Sequence, residues 1–169
     1  TAYTMRGYKK GQFIVFSFTL YKRPFGDIFG RRFTVVSFCV PVIFPNILLD
    51  GHKNRRPPFT YENFDRIELE ANFHRYFSLY CESGSHIDAL SIITPELMQV
   101  LVQEGTRYDI AIWQNKVAII AKGNHMKPRK LNDMIRAADA VQGDFMHRSK
   151  SWNSLPKKTT IFHDKKLVY

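Results

Sequence analysis

Cysteine is scarce in this sequence, and so are the short motifs that cysteine chemistry needs. The 169 residues include only Cys39 and Cys81, and neither belongs to a CxxC pair. A zinc ribbon and a thiol redox motif are therefore excluded in their usual spacing. We expect both thiols to be reduced and buried in apolar, strand-like runs, with a single disulfide between them as the open alternative.

The signatures of nucleotide and metal binding are also missing. The sequence contains no GxGxxG and no GxxxxGK[ST], the glycine-rich loops that cradle phosphates. Its six histidines form no HxH, HExxH or HxxE arrangement, the spacings that let two ligands reach one ion. The sequence therefore predicts no cofactor and no metal.

No apolar run is long enough to span a bilayer. The longest uncharged run, residues 33–49, contains Pro41 and Pro45 and falls short of the about 20 apolar residues that a transmembrane helix needs. We interpret this run as two buried strands split by a proline turn. Because residue 1 is Thr rather than Met, we also expect the chain to be a piece of a longer protein.

Acidic residues are scarce at both ends of the chain. Residues 1–58 carry ten Lys and Arg against two acids, and residues 122–169 carry eleven against four. Residues 59–121 reverse the balance, with four cations against nine acids, and the whole chain has a formal charge of +10. Two basic ends therefore flank an acidic middle, which is typical either of a solubilising surface or of a protein with a polyanionic neighbour.

The first half of the chain has the alternation and the β-branched and aromatic content of strands. The run at 11–21 has two apolar-rich faces, and residues 31–40 are its expected antiparallel partner. A third strand is expected at 47–50, followed by an exposed loop at 50–58. The acidic run at 66–81 predicts a strand, one helical turn and a second strand.

Helix signals follow in the second half. Thr94 is a predicted N-cap with Pro95 at the first helical position, and Gly105 ends that helix. The run at 108–121 predicts a hairpin turning at Gln114–Asn115. A second amphipathic helix is predicted over 128–142, capped by Gly143, with one apolar face formed by Leu131, Met134, Ile135, Ala138 and Val141.

Together these elements predict one α+β domain over residues 1–143, followed by a basic C-terminal tail over 144–169. The domain is a curved, mainly antiparallel sheet, either open or closing toward a barrel, packed with two main helices. A hydrophobic content of 44% in 19.8 kDa is ample for a single core of this size.

The stretch "YCESGSHID" (80–88) collects a thiol, two hydroxyls, an imidazole and two carboxylates. A catalytic triad is defined by hydrogen-bonded geometry that sequence adjacency does not supply, so we interpret the stretch as a polar turn. Ser85 is its expected cap for a short helical turn that starts at His86, with Asp88 near the positive end of that turn. No catalytic residue is assigned.

The order of these elements resembles an uncharacterised family of bacterial membrane-anchored proteins. The resemblance rests on "FTVVSFCVP" with a second proline at Pro45, on the acidic strand with the pair Phe73 and Phe77, and on the helix start Ile93-Thr94-Pro95. It covers about residues 8–122. It implies an α+β domain on the cytoplasmic face of the inner membrane, downstream of an anchor outside this sequence, and it assigns no activity. Our leading expectation is a non-catalytic module that binds a protein partner or the anionic membrane surface, with a soluble cytoplasmic location as the alternative.

The basic flanks supply the candidate contacts to an anionic surface. These are Arg31, Arg32, Lys53, Arg55, Arg56, Lys127, Arg129 and Lys130. The alternative function is a soluble nucleic-acid-binding protein that uses the same flanks together with Lys122, Arg148, Lys150, Lys157 and Lys158, although no RNP, KH or helix-turn-helix signature accompanies them.

Overall fold

The computed structural model describes residues 2–10, 12–21, 31–54, 63–69, 71–123 and 127–152. They form an α+β fold, a mainly antiparallel six-stranded sheet packed with helices, which confirms the predicted class. Along the main path of the sheet the strands follow the order β1-β2-β3-β5-β4, and β6 pairs with β3. Within these residues the sheet is open and does not close into a barrel.

The third strand organises the sheet. The strands are β1 Ala2–Lys10, β2 Phe13–Tyr21, β3 Arg31–Gly51, β4 Phe64–Ile67, β5 Phe77–Glu82 and β6 Asp109–Lys122. The first part of β3 pairs with β2, which confirms the predicted antiparallel pair, and its last five residues pair with β5. Along nearly its whole length β3 also pairs with β6. One long strand thus joins the two halves of the sheet.

The predicted proline turn within residues 33–49 is wrong, because β3 continues through both prolines. Its pairing with β6 is irregular between Cys39 and Phe44 and again between Phe44 and Ile47. Pro41 and Pro45 lie in these two irregular stretches. Proline lacks an N–H and is tolerated where a bulge has already removed a ladder hydrogen bond. The prolines therefore bend the strand and do not end it.

The predicted hairpin at Gln114–Asn115 is also wrong, since β6 is one strand. Gln114 does adopt a positive φ of 54°. It pairs with Phe44, between the two irregular stretches of β3. The left-handed residue is thus used for a local bend that accompanies the bulged partner strand, and the chain direction does not reverse.

Two short helices follow β5. Helix α1 is His86–Ile92, and helix α2 is Pro95–Val100, which continues as a π-helical turn, Leu101–Gly105. Thr94 caps α2 as predicted, because its hydroxyl accepts a hydrogen bond from the backbone N–H of Leu97 at 3.4 Å. Ser85 occupies the N-cap position of α1 but makes no side-chain capping bond.

Helix α3, Pro128–Trp152, is longer than predicted, and the expected end at Gly143 is wrong. The predicted apolar face is confirmed, with Leu131, Met134, Ala138 and Val141 buried, but it extends to Phe145, which is 1% exposed. A glycine inside a helix costs about 1 kcal/mol, whereas burying a phenylalanine contributes about 2–3 kcal/mol. Packing therefore carries the helix past the glycine. Residues 153–169 of the predicted tail lie outside the described residues.

Arg148 fastens the extended part of α3 to α1. Its guanidinium donates to the carboxylate of Asp144 one turn earlier, at 2.6 Å, and to the backbone oxygen of Ile92 at 2.9 Å. The guanidinium also lies 5.1 Å from the centre of the Phe145 ring. Arg148 is a predicted nucleic-acid contact, but its side chain is largely buried and packs between α3 and α1.

The three helices and one face of the sheet enclose the main core, which includes Phe38, Leu49, Leu79, Ile112 and Phe145. Phe33, Val35 and Ile120 form a smaller cluster on the other face, against Phe16 and Phe18. Among the residues that the structure describes, no helix combines the length and the apolar character needed to cross a membrane.

Candidate functional site

An open groove of about 890 Å³ lies where β3 departs from regular pairing. It is bordered by the start of β2, the middle of β3 and β6, and the second half of α3. Most of its lining side chains are apolar or small, and they are Gln12, Ile14, Phe16, Ser37, Phe38, Cys39, Val40, Pro41, Ala111, Trp113, Gln114, Lys116, Ala118, Gln142 and Met146. We call this feature the Cys39 groove.

The sheet register explains why there is space in the Cys39 groove. Ile14 on β2 lies opposite Ser37 on β3, and Ser37 lies opposite Ala118 on β6. Residues paired across an antiparallel ladder place their side chains on the same face, so two small side chains stand beside a large one. Beyond Cys39 the regular pairing of β3 with β6 is interrupted, and Gln142 and Met146 of α3 also line the groove. At that end Gln12 donates a hydrogen bond to Gln142 of α3.

Several large apolar side chains at the groove are exposed to solvent. Trp113 is 65% exposed, Ile14 52% and Met146 44%. Single exposed apolar residues are ordinary, but a contiguous group around a concavity is typical of an interaction site. Tryptophan is also among the residues that contribute most to binding energy at interfaces. The geometry suits a ligand with an apolar surface.

Lys116 is the one charged residue among the described residues that line the groove. It lies directly opposite Cys39 in the β3–β6 ladder, so the two side chains are on the same face. Lys116 is exposed, and no described carboxylate forms an ion pair with it. The groove thus combines apolar walls with one available positive charge.

The two cysteines lie in different environments. Both are free thiols, so a disulfide between them is not formed. Cys81 is buried as expected, but Cys39 is exposed in the groove, which corrects the prediction that both are buried. Cys39 is exposed because the second face of β3 is uncovered there. Burial raises the pKa of the Cys81 thiol, and the negative charges of Asp65 and Glu82 raise it further.

Thiol labelling should report this difference directly. We expect Ellman's reagent to modify one thiol quickly in the native protein and the second only on unfolding. Cys39 is accessible, whereas Cys81 is buried and its raised pKa lowers the thiolate fraction at a given pH. The fast phase should disappear in Cys39→Ser and persist in Cys81→Ser. Equal rates for both thiols in the native protein would contradict the placement.

The described members of the predicted cationic contacts lie toward two ends of β3. At one end of β3, the backbone oxygen of Arg32 accepts a hydrogen bond from Gly123 N–H at 2.7 Å, which brings the exposed side chains of Arg32, Lys127, Arg129 and Lys130 to the same end of the sheet. Lys53 lies beyond the opposite end of β3, on the order of 60 Å away along the strand path. Arg55, Arg56 and the side chain of Arg31 lie outside what the structure describes.

The polar stretch at 80–88 is used as a turn, as predicted. His86 Nε2 lies 2.9 Å from an Asp65 oxygen, and the Ser83 hydroxyl donates to the Asn63 carbonyl at 3.2 Å. Cys81 points into the core while His86 is exposed. The thiol and the imidazole therefore face different surroundings, and these hydrogen bonds fasten the turn to residues 63–65.

A serine–histidine pair that sequence reasoning missed lies at the other end of the sheet. His52 Nδ1 is 3.2 Å from the Arg75 carbonyl oxygen, and Nε2 is 2.9 Å from the Ser78 hydroxyl. Since a carbonyl only accepts, Nδ1 carries the proton and Nε2 accepts from Ser78. The backbone N–H of His52 donates to the Tyr76 carbonyl as well, at 2.8 Å. These bonds hold the turn at His52–Asn54 against β5, and no local motif reveals a pair 26 residues apart.

Among the described residues, no three His, Cys, Asp or Glu side chains converge as metal ligands. Comparisons with protein-family models, with curated proteins and with solved structures find no match to this chain. The resemblance to bacterial membrane-anchored proteins therefore stays a prediction. Two features of the molecule bear on function, the Cys39 groove and the cations near Arg32, which are Arg32, Lys127, Arg129 and Lys130.

Proposed function

We propose that this chain is a non-catalytic binding module and that the Cys39 groove takes up an apolar segment of a protein partner. The observation that carries the proposal is the group of half-exposed apolar side chains, Ile14, Trp113 and Met146, around one concave surface. Enclosed pockets bury most of a small ligand, whereas an open groove of this kind fits a helix or an extended segment.

The distance between the main cationic group and Trp113 favours a protein partner over a membrane surface. Peripheral membrane binding uses apolar and cationic side chains together in one interface. Here Trp113 lies nine residues from Lys122 on β6, or about 30 Å of strand, whereas Ala118 at the near edge of the groove is four residues from Lys122. The main cationic group therefore lies beyond one end of the groove, and Trp113 lies toward the other.

The cations near Arg32 support a second candidate function, which is contact with the anionic inner face of the membrane by a cytoplasmic, membrane-anchored domain. Arg129 and Lys130 occupy the first turn of α3, and that turn contains no acidic residue. Cations at the N-terminal end of a helix interact unfavourably with the helix dipole, so Arg129 and Lys130 destabilise α3 slightly. Contact with an anionic surface would offset this destabilisation.

A peptide-display experiment tests the first proposal. We expect random peptides selected on the wild-type protein to bind Trp113→Ala at least about tenfold more weakly, because an exposed aromatic anchor supplies much of the binding energy. Ile87→Ala is the matched control, since Ile87 is 83% exposed on α1 and does not line the groove. Selected peptides should bind this control as well as wild type and should protect Cys39 from alkylation.

Other outcomes would overturn the proposal. If no selected peptide distinguishes Trp113→Ala from Ile87→Ala, the groove is not the binding site. If binding to anionic vesicles is the activity instead, it should fall in Arg129→Gln with Lys130→Gln and be unchanged in Trp113→Ala. Binding to RNA with the same dependence, and none to vesicles, would favour the nucleic-acid alternative.

A further inference from the structure

We infer that the apolar segment bound in the Cys39 groove also carries acidic residues, and that one of their carboxylates pairs with the Lys116 ammonium beside Cys39. This inference rests on the proposed function, because it names the chemistry of the same partner. It adds a polar anchor and an orientation to a site whose other contacts are apolar.

The first support is the composition of the groove. Among the fifteen described residues that line it, Lys116 is the charged one, and the other polar groups are amides, a hydroxyl and a thiol. A basic segment would place its cations against Lys116 with no carboxylate of the lining to compensate. An acidic segment would meet the one charge that the site offers, which is the complementarity that selects partners at interfaces.

The second support is the availability of the ammonium. The described carboxylates of the ion pairs are engaged elsewhere, with Asp65 on His86, Glu104 on Arg136 and Asp144 on Arg148. Lys116 is exposed and its side chain shares a face with Cys39. Pairing with a partner carboxylate therefore breaks no ion pair within the described part of the fold.

The third support is the charge of the whole chain, which is +10. A positive protein attracts acidic partners at long range and speeds their encounter. That attraction does not choose a site by itself. Lys116 supplies a positive charge at the rim of the apolar groove, so an acidic partner attracted to the protein would find its contact there.

The test uses the peptides selected by display and a charge-removing pair of variants. We expect the selected peptides to be enriched in Asp and Glu, and Lys116→Gln to weaken them by about three- to tenfold, as for a partly desolvated ion pair. Lys127→Gln is the control, because it removes the same charge from an exposed lysine outside the groove. Replacing the peptide carboxylate by its amide should remove the effect of Lys116→Gln, which isolates the pair in a double-mutant cycle.

The outcomes separate this inference from the function on which it rests. Peptides that need Trp113 and protect Cys39, but are neutral or insensitive to Lys116→Gln, would overturn the acidic anchor and leave the proposed function standing. Equal weakening of peptide binding by Lys116→Gln and Lys127→Gln would show that the net charge of the protein causes the effect, and it would overturn the acidic anchor too. Peptides that neither need Trp113 nor protect Cys39 would overturn both.

Discussion

Replacement of Phe145 by alanine is expected to lower the free energy of unfolding by about 3–4 kcal/mol, the range for a phenylalanine removed from a packed core. Phe145 is 1% exposed, and its ring centre lies 5.4 Å from that of Phe44 on β3. The substitution would leave a cavity between α3 and the bent part of β3. Urea unfolding followed by circular dichroism measures the loss, which is a large part of the 5–15 kcal/mol typical of a domain.

Met146→Ala is the matched control for this prediction. Met146 is the next residue on the same helix but is 44% exposed, so its removal should cost less than about 1 kcal/mol. Ordinary surface substitutions change stability by up to about 0.5 kcal/mol. A loss of that size for Phe145→Ala, or one no larger than that of Met146→Ala, would show that the second half of α3 is not part of the core. The predicted boundary at residue 143 would then be correct.

Replacement of Gly51 by alanine is expected to destabilise the protein by about 3 kcal/mol, although it adds only one methyl group. A Cβ at this position would lie 2.4 Å from the backbone oxygen of Tyr108. Relief requires the ends of β3 and β6 to separate. That movement would stretch the hydrogen bond from Gly51 N–H to the fully buried Asp109 carboxylate, now 3.0 Å. Thermal and urea unfolding of the variant test this expectation.

Gly143→Ala provides a control with the opposite sign. Gly143 lies inside α3, and an added Cβ would meet nothing within 4 Å. Alanine there should raise stability by about 0.5–1 kcal/mol, since it lowers the entropy cost of forming the helix. If the two glycine variants changed stability in the same direction, the close approach of Tyr108 to Gly51 would not be the reason that glycine is needed.

These two glycines show where reading the sequence is insufficient. Gly51 opens a polar run that predicts an exposed loop, and Gly143 follows an apolar periodicity that predicts a helix cap. The contacts reverse both interpretations, because Gly51 is buried against another strand and Gly143 lies inside a helix. Glycine serves either where the backbone needs conformational freedom or where another backbone approaches closely, and the local sequence does not distinguish the two uses.

The candidate site shows the same limit. The sequence predicts exposed cations, and the structure places Arg32 beside Gly123 at one end of the β3–β6 pair, four residues before Lys127. The Cys39 groove was not predicted. Its lining comes from β2, β3, β6 and α3. Trp113 and Cys39 each lie in an apolar run of the sequence, which by itself predicts burial. Which apolar side chains stay exposed depends on what packs over them.

By itself, the sequence determined the class of the fold, the β2–β3 pair, the Thr94 cap and the apolar face of α3. These follow from local rules, since alternation, capping side chains and helical periodicity act over a few residues. The tertiary structure alone decided that Pro41 and Pro45 bend one strand, that Gln114 bends its partner, and that α3 passes Gly143 to bury Phe145. Each of these outcomes depends on a contact with a residue far along the chain, whose energy exceeds the local preference it overrides.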